Sequence, residues 1–464
     1  MGTMGQTTEV ISIGSDRQLF LDDLLIDRME GAGTRMHAPV PREVAFRFDQ
    51  PWEGNVSWCP VVMDDEDRYR MWYRSEHIGN EEGGVSSHSF TAYAESPDGI
   101  HWDRPNLGLE MFGNSTENNI CIHSPDMKNV AVFIDNREGV SDAEKYKAVG
   151  RWTKGRPSRI FGMVSSDGVC WKKVQEEALI VAPDEDPQFD SPLSAFWDGR
   201  TNRYVLYIRG WGPGGAENRI RAIRMTTSED FINWTPFQYI EIDNLDGWPY
   251  HLYTNSGHPY YRAPYYLMFP KRLMPNRTFL SDWPYEGQSD VLLLSSRDAQ
   301  NFHFSGGDAF LRPGPDIQNW HERSIFIAPR VVPTVPGEMS MYSVQNYRTD
   351  SAHIRRFSLR EDGFVSTYAS DSGGALITNP LAFSGKSLEI NYSTSGAGVV
   401  RVGLMDEHCQ SLDGFEATAS EIFGDEISRT VRWNGSADVG SLSEKPIRIR
   451  FELAEADLFS FRFA

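Results

Sequence analysis

The sequence predicts an all-β protein, a five-bladed β-propeller followed by a C-terminal β-sandwich. Three observations lead to this prediction. A seven-residue phrase, Ser-x-Asp-x-x-x-aromatic, returns at nearly constant spacing, alternating hydrophobic runs precede each copy, and helical periodicity is almost absent. A chain that repeats one short strand pattern five times is expected to form one sheet per repeat, arranged radially.

The phrase fixes the length of the repeat. The copies are Ser96–Trp102, Ser165–Trp171, Ser228–Trp234, Ser296–Phe302 and a degraded fifth, Arg360–Phe364, and their aspartates are 69, 63, 68 and 64 residues apart. Each interval accommodates one four-stranded antiparallel sheet. The aspartate is predicted to be a turn residue whose side chain accepts hydrogen bonds from nearby backbone N–H groups, rather than a catalytic group.

Taken in order, the chain divides into three parts. Residues 1–15 are expected to form a flexible tail, residues 16–370 the propeller and residues 371–464 the sandwich. A strand at Gln18–Ile26 is predicted to complete the last blade. Three strands follow in each blade, as alternating runs: Ser57–Met63, Tyr69–Arg74 and Phe90–Glu95; Val130–Ile134, Tyr146–Trp152 and Ile160–Val164; Leu193–Trp197, Tyr204–Arg209 and Arg219–Thr226; His251–Tyr253, Tyr265–Phe269 and Asp290–Leu294; Ile325–Val332, Met339–Gln345 and Ile354–Leu359.

The composition excludes several classes of partner. There are 65 acidic and 45 basic side chains, a formal charge of -20, which repels nucleic acids and anionic membrane surfaces. No run of eighteen apolar residues is present, so no membrane segment is expected. The four cysteines are far apart, which favours buried free thiols over a disulfide framework or a zinc site. The N-terminus shows no signal-peptide pattern, so the localisation stays open between the cytoplasm and, if a signal was trimmed, the periplasm or exterior.

Chemistry in a propeller is expected where the innermost strands converge on the central channel. Carboxylates near the ends of these predicted strands are therefore the candidates. Asp190 stands before the first strand of blade III, Asp135 follows the first strand of blade II, Glu338 lies in blade V and Glu53 precedes blade I. Each of them also has an ordinary structural interpretation as a turn or capping residue.

The chain resembles the five-bladed propeller glycoside hydrolases, the group that includes arabinanases, β-xylosidases, invertases and levansucrases. It is most similar to bacterial proteins related to the invertase N-terminal domain, through the phrases Leu19–Ile26, Trp320–Arg323, Pro336–Tyr342 and Leu359–Ser366. The resemblance spans residues 16–464. It implies an exo-acting glycosidase with paired carboxylates: Asp190 as base or nucleophile, Glu338 as general acid and Asp135 as the carboxylate that tunes or orients them, with roles that can be exchanged.

Substrate-binding residues are expected around the same channel. Aromatic rings stack against the C–H faces of sugars, histidines and carboxylates bond hydroxyl groups, and guanidinium groups suit anionic sugars. The predicted binding residues are Asp23, Glu53, Trp58, Trp211, Tyr253, His258, Arg262, Trp320, Glu322 and Arg323. Arg262, Lys271, Arg272 and Arg323 are the side chains that could bind a carboxylate or sulfate, against the alternative of pairing with acids of the protein.

Two alternatives to a glycosidase remain. One is a carbohydrate-binding propeller without turnover, because a fold does not imply its chemistry. The other is a sialidase, which five repeats rather than six, and a phrase one residue shorter than the Asp-box, make weaker. A carbohydrate is the expected partner, and no cofactor or metal is expected apart from a structural cation that the channel could hold.

Overall fold

The computed structural model describes residues 9–78, 86–123, 127–152, 157–183, 189–212, 220–243, 251–305 and 307–464. The all-β class is confirmed. In this described part, the helical elements are four single 3-10 turns, at Asp142–Glu144, Ile317–Asn319, Ala417–Ala419 and Gly440–Leu442. No described helix has the length and apolar character needed to cross a membrane. Arg219, the predicted start of a strand in blade III, lies outside the described residues.

The first three blades are antiparallel sheets whose strands follow chain order, with four strands in blades I and III and five in blade II. Blade I consists of Trp58–Asp65, Arg68–Ile78, Ser86–Ser96 and Ile120–Ile122. Blade II consists of Lys128–Ile134, Tyr146–Trp152 and Arg159–Ser165, with Lys172–Lys173 and Ile180–Val181 on its outer edge. Blade III consists of Asp190–Asp198, Arg203–Trp211, Arg221–Ser228 and Gln238–Tyr239.

Blades IV and V are more interrupted. Blade IV is divided into two small sheets. One contains His251–Leu252, Lys271–Met274 and Gln288–Val291, and the other contains His258–Pro259, Tyr266–Met268, Leu294–Ser296 and Asn301–Phe304, with Glu241–Ile242 beside the last of these. Blade V consists of Phe326–Ile327 and Val332–Val335, then Glu338–Gln345, His353–Arg360 and Val40–Arg47. The strand predicted over Ile325–Val332 is broken because Ile325 and Arg330 adopt left-handed φ angles of 49° and 80°.

The ring closes between blades V and I. A shared core joins Phe326 and Tyr342 of blade V to Val62 and Met71 of blade I, with Phe46 packed beside them. The strand that completes the last blade is Val40–Arg47, which pairs antiparallel with His353–Arg360. The prediction that Gln18–Ile26 does this was wrong, because Phe20 and Leu25 bury their side chains in the core of the sandwich instead.

The sandwich takes strands from both ends of the chain. Its two long strands, Leu388–Met405 and Arg448–Phe463, pair along most of their length and are interrupted by a register shift between Thr394 and Val399. The remaining strands are Ile11–Gly14, Gln18–Leu19, Ile26–Glu30, Gly33–Met36, Val365–Ala369, Gly374–Thr378, Leu381–Phe383, Glu421–Ile422 and Asp425–Thr430. Residues 11–36 thus pair outside the propeller, and Ile11–Gly14 is a strand within the predicted tail. The division at residue 370 stays a prediction.

The repeated phrase forms the same turn in four blades, as predicted. In blade I the carboxylate of Asp98 accepts hydrogen bonds from the N–H groups of Ile100 and His101, both at 2.8 Å. Asp167, Asp230 and Asp298 do the same. The next residue takes a left-handed φ of 70–77°, as Gly99, Gly168, Phe231 and Ala299. The carbonyl of Gly168 then accepts a bond from Trp72 Nε1 of blade I at 2.7 Å, so the turn also joins neighbouring blades.

Replacing one turn aspartate should produce a stability loss that depends on pH. Burial raises the pKa of Asp230, but bonds from Asn233 and Ile232 outweigh it and lower the pKa to about 2. A carboxyl whose pKa falls on folding stabilises the protein above the unfolded pKa of about 3.9 and loses that effect as pH falls toward 2. Asp230→Asn should therefore lower the urea midpoint at pH 6, with a smaller difference at pH 3. An equal difference at both pH values would contradict this.

The cysteines are all free, as predicted, but only Cys59 and Cys121 are buried. Cys170 is exposed and Cys409 is half-buried, which corrects the prediction of four buried thiols. Burial raises the pKa of the Cys59 thiol to about 12, although Arg74, Arg151 and Lys271 act in the other direction. The Cys59 thiol is therefore protonated and unreactive at neutral pH.

Candidate functional site

One end of the propeller channel is shaped by a feature that recurs in four blades. Near the start of the inner strand, one residue adopts a left-handed φ: Cys59 at 53°, Asn129 at 55°, Ser256 at 58° and Ile325 at 49°. In blades I and II this residue lies within a shift of strand register. Such bulges bend a strand and re-aim its side chains. We call this end, where the inner strands start and the second strands finish, the channel mouth.

A connected set of charged and aromatic side chains occupies the mouth. Its basic members are Arg74, Lys128, Arg151, Arg209, Arg221, Lys271 and Arg323, and its acidic members are Glu76, Asp190 and Glu322. Trp58, Trp211 and Tyr253 supply the rings. All five blades contribute to this set, so it is the point at which their chemistry can act together.

Asp190 is the most accessible acid of the mouth. It faces Arg209 in the strand register, forms an ion pair with that guanidinium group, and lies 3.1 Å from Arg151 Nη2 of blade II. Its side chain is 41% exposed, whereas that of Glu76 is 3% exposed. Two guanidinium groups hold the carboxylate in place, while its side chain remains partly exposed to solvent. The sequence prediction placed Asp190 at the mouth of this strand, and the structure agrees.

Glu76 and its partners were missed by the sequence analysis. Glu76 pairs with Arg74 Nε at 3.0 Å and with Lys128 Nζ at 2.6 Å, which links blades I and II. A second repeat in the sequence could have revealed the charged residues of the mouth. In four blades a tyrosine is followed five residues later by a cation: Tyr69 and Arg74, Tyr146 and Arg151, Tyr204 and Arg209, Tyr266 and Lys271. The spacing spans the second strand of a blade, so the tyrosine and the cation lie at its opposite ends.

Lys271 and Glu322 form the buried floor on the side of blades IV and V. The side chain of Lys271 is fully buried, and its Nζ donates to the carbonyl of Arg323 at 2.7 Å. The pKa of Lys271 is lowered to about 7, chiefly by burial, with Glu322 acting against this and Arg323 and Arg209 acting in the same direction. Glu322 accepts from Trp283 Nε1 at 2.8 Å and lies 3.3 Å from Arg323 Nε. Both predicted residues, Glu322 and Arg323, are therefore at the mouth.

Tyr253 sits among cations. The guanidinium carbon of Arg209 lies 4.4 Å from the centre of its ring, and that of Arg221 lies 5.1 Å away. Burial raises the pKa of Tyr253, but Arg209, Arg323 and Arg221 outweigh this and lower it to about 8. The phenol of Tyr253 is therefore protonated at neutral pH, and its pKa lies about one unit above neutral.

A spectroscopic titration should detect this tyrosine. The phenolate absorbance between pH 7 and 9 should rise by one tyrosine equivalent, because the free phenol titrates near pH 10 and burial moves many other tyrosines higher still. The step should be missing in Tyr253→Phe and retained in Tyr239→Phe, which removes an exposed tyrosine. A wild-type titration with no absorbance change below pH 9 would contradict the assignment.

Two predicted aromatic residues also lie here. Trp58 packs against Phe326 and Tyr347, with the Arg74 guanidinium 5.4 Å and the Lys271 ammonium 5.9 Å from its ring centre. Trp211 ends the second strand of blade III and lies 5.4 Å from the Arg221 guanidinium. Both rings are positioned by cations at the mouth.

The predicted acid and tuning carboxylates lie at the other end of the blades. Glu338 begins the second strand of blade V, where Arg42 and Arg356 bind it at 2.8 and 3.0 Å. Asp135 follows the inner strand of blade II and is fully buried between Lys147 at 2.8 Å and the Tyr204 hydroxyl at 2.6 Å. The structure therefore does not bring Asp190, Glu338 and Asp135 together. Asp190 begins an inner strand, whereas Asp135 follows the end of an inner strand and Glu338 begins a second strand, which runs in the opposite direction.

Several predicted binding residues have structural partners elsewhere. Glu53 is buried and paired with Arg104 at 2.9 Å, and Arg262 binds Glu361 and Asp362 beside the sandwich. His258 is enclosed, and burial lowers its pKa to about 3. Asp23 is exposed on a turn, beside the fourth copy of the phrase rather than at the mouth. Trp320 donates to the carbonyl of Gly314 at 2.8 Å and lines a separate pocket with Arg272, which is paired with Asp290.

Within the described residues, no group of three or more His, Cys, Asp or Glu side chains is arranged to hold a metal ion. Three carboxylates of the mouth lie in the part of the chain that the structure describes, and basic groups separate them in the contacts given above.

No family model matches the sequence. Two uncharacterized proteins of Mycobacterium tuberculosis, the first from strain CDC 1551 / Oshkosh, are 30% and 29% identical over 166 and 163 residues, or 34% of this chain. The alignments cover 48% of each relative, so the chain spans about half the length of the curated relatives it matches.

The solved structures similar to this chain include propeller-type glycoside hydrolases. One is a family 43 arabinoxylan arabinofuranohydrolase from Bacillus subtilis in complex with cellotetraose, with 12% identity, a TM-score of 0.43, and coverage of 92% of this chain and 99% of that one. Another is the Bombyx mori family 32 β-fructofuranosidase, with 10% identity, a TM-score of 0.44, and coverage of 90% and 94%.

A third similar structure is an N-acetylgalactosamine deacetylase from F. plautii in complex with blood group B trisaccharide. It has 15% identity, a TM-score of 0.46, and coverage of 74% of this chain and 97% of that one. At such identities the likeness concerns the fold alone, and the reaction has to be argued from the side chains of the channel mouth.

Proposed function

We propose that the protein is an exo-acting glycoside hydrolase whose reaction takes place at the channel mouth, with Asp190 as base or nucleophile. The observation that carries the proposal is the partly open carboxylate of Asp190, fixed by Arg209 and Arg151 where all five blades contribute side chains. A site at the end of a closed ring of blades suits the terminal residue of a saccharide better than the middle of a polymer.

The proton donor in this proposal is Tyr253 instead of Glu338. Glycoside hydrolysis requires protonation of the leaving oxygen while a nucleophile or an activated water attacks the anomeric carbon. Lys271 also titrates near neutral pH, but its side chain is fully buried. Tyr253 is half-buried and lies against Arg209, the partner of Asp190, so its hydroxyl can give a proton to the leaving group and later recover one from water.

A carbohydrate-binding propeller without turnover is the second candidate. It is favoured by the ion pairs of Asp190 with two arginines, which engage the carboxylate in structural contacts. A panel of aryl glycosides and oligosaccharides separates the two functions. Turnover by the wild type that Asp190→Asn abolishes supports the hydrolase. Binding of a saccharide with no turnover of any substrate supports the binding protein.

A further inference from the structure

We propose that the sugar taken by the channel mouth carries a carboxylate or a sulfate group, held chiefly by Arg209, Arg221 and Arg323. This inference rests on the proposed function to the extent that the ligand is a sugar. It concerns the substrate class rather than the reaction, so it can be tested by binding alone.

Basic side chains are concentrated at the channel mouth, although the protein as a whole is acidic. The protein has a formal charge of -20, yet the described part of the mouth contains seven basic side chains and three acidic ones. Basic residues scattered over an acidic protein would be expected to pair with its abundant carboxylates. Their concentration around one opening produces a positive potential that attracts anions.

Several cations of the mouth are buried, and burying a charged side chain costs free energy. The side chains of Arg74 and Arg209 are each 9% exposed, and that of Lys271 is fully buried. The pKa of Arg209 is lowered to about 10, chiefly by burial, with Tyr253 acting against this and Arg221 and Arg151 acting in the same direction. Buried charges are expensive unless they are paired. The cations do have partners, but Glu76 is shared between Arg74 and Lys128, and Asp190 is shared between Arg209 and Arg151. An anionic ligand would add negative charge to this set.

The contacts of the Arg221 guanidinium group suit it to bind an anion. In the described part of the chain it has no acidic partner. Its Nη1 meets Nδ1 of His251 at 2.7 Å, and its guanidinium group lies over the rings of Trp211 and Tyr253. A guanidinium group fixed over two aromatic rings presents a planar fork that matches a carboxylate or sulfate, while the rings can contact the sugar.

The test is calorimetric titration with four sugars: galacturonate, galactose 6-sulfate, galactose and glucose. At least one of the two anionic sugars should bind 10-fold or more tightly than the neutral pair. The difference in affinity between galacturonate and galactose 6-sulfate shows which oxyanion the mouth prefers. Arg221→Gln should lower the affinity for the preferred anionic sugar about 10- to 100-fold, and 0.5 M NaCl should weaken it. Arg42→Gln, which removes an arginine at the opposite end of blade V, should leave it unchanged.

The outcomes separate this inference from the proposed function. Equal affinity for neutral and anionic sugars, no binding of any of the four, or an equal effect of Arg221→Gln and Arg42→Gln would overturn the inference. Turnover of neutral glycosides under the same conditions would leave the hydrolase standing without it. Selective binding of an anionic sugar with no turnover in the full panel would support the inference and reject the hydrolase.

Discussion

Asp190→Asn should lower kcat/KM for any glycoside that the wild type hydrolyses by about 10²- to 10⁴-fold, the range for loss of a positioned acid or base. Asparagine keeps nearly the same shape but cannot act as a base or form a glycosyl ester. It also removes the negative charge from between Arg151 and Arg209. The affinity for an anionic product should therefore be retained or increased while kcat falls, a combination that a simple loss of folding would not produce.

Glu338→Gln is the matched control for this variant. Glu338 is also a carboxylate held by two arginines, Arg42 and Arg356, but it lies at the opposite end of the blade. Its replacement should leave kcat/KM within a few-fold of the wild type. Equal losses in the two variants would show that the reaction does not depend on the channel mouth, and full activity of Asp190→Asn would remove Asp190 from the mechanism.

Asp362→Ala should cost about 3–5 kcal/mol of folding stability, as expected when one partner of a buried ion pair is removed. The side chain is fully buried and accepts from Arg262 Nε at 3.0 Å, the Tyr260 hydroxyl at 2.8 Å and the Ser460 hydroxyl at 2.7 Å. Arg17 lies 3.7 Å away. The aspartate thus joins blade IV to strands of the sandwich, and its loss removes the carboxylate that faces the buried Arg17 and the half-buried Arg262.

Asp298→Ala serves as the comparison, because Asp298 occupies the same place in the phrase on a solvent-facing turn. Its loss removes backbone hydrogen bonds but strands no buried cation, so a smaller effect is expected. Urea unfolding followed by tryptophan fluorescence measures both. Asp362→Asn, which keeps the size of the side chain, should fall between wild type and Asp362→Ala. Equal midpoints for Asp362→Ala and Asp298→Ala would contradict the role of Asp362.

The network around Asp362 also explains why the fifth copy of the phrase is degraded. In four blades the aspartate binds its own turn, as Asp98 does through Ile100 and His101. In the fifth, Asp362 takes a left-handed φ of 62° and binds partners from distant parts of the chain instead. The copy can be recognised in the sequence, but its binding to distant side chains cannot, since the partners Tyr260 and Ser460 are about one hundred residues away on either side.

The sequence by itself determined the all-β class, the repeat length and the turn chemistry of the phrase, because these depend on local alternation and on contacts within a few residues. It also placed Asp190, Trp58 and Tyr253 near the site. Only the tertiary structure decided that Glu338 and Asp135 face away from it, and that Arg74, Arg151 and Arg209 come together. Antiparallel strands alternate in direction, so a residue reaches the mouth or the opposite end according to which strand it starts or finishes. That choice, and the closing of the ring by Val40–Arg47, depends on contacts between distant segments.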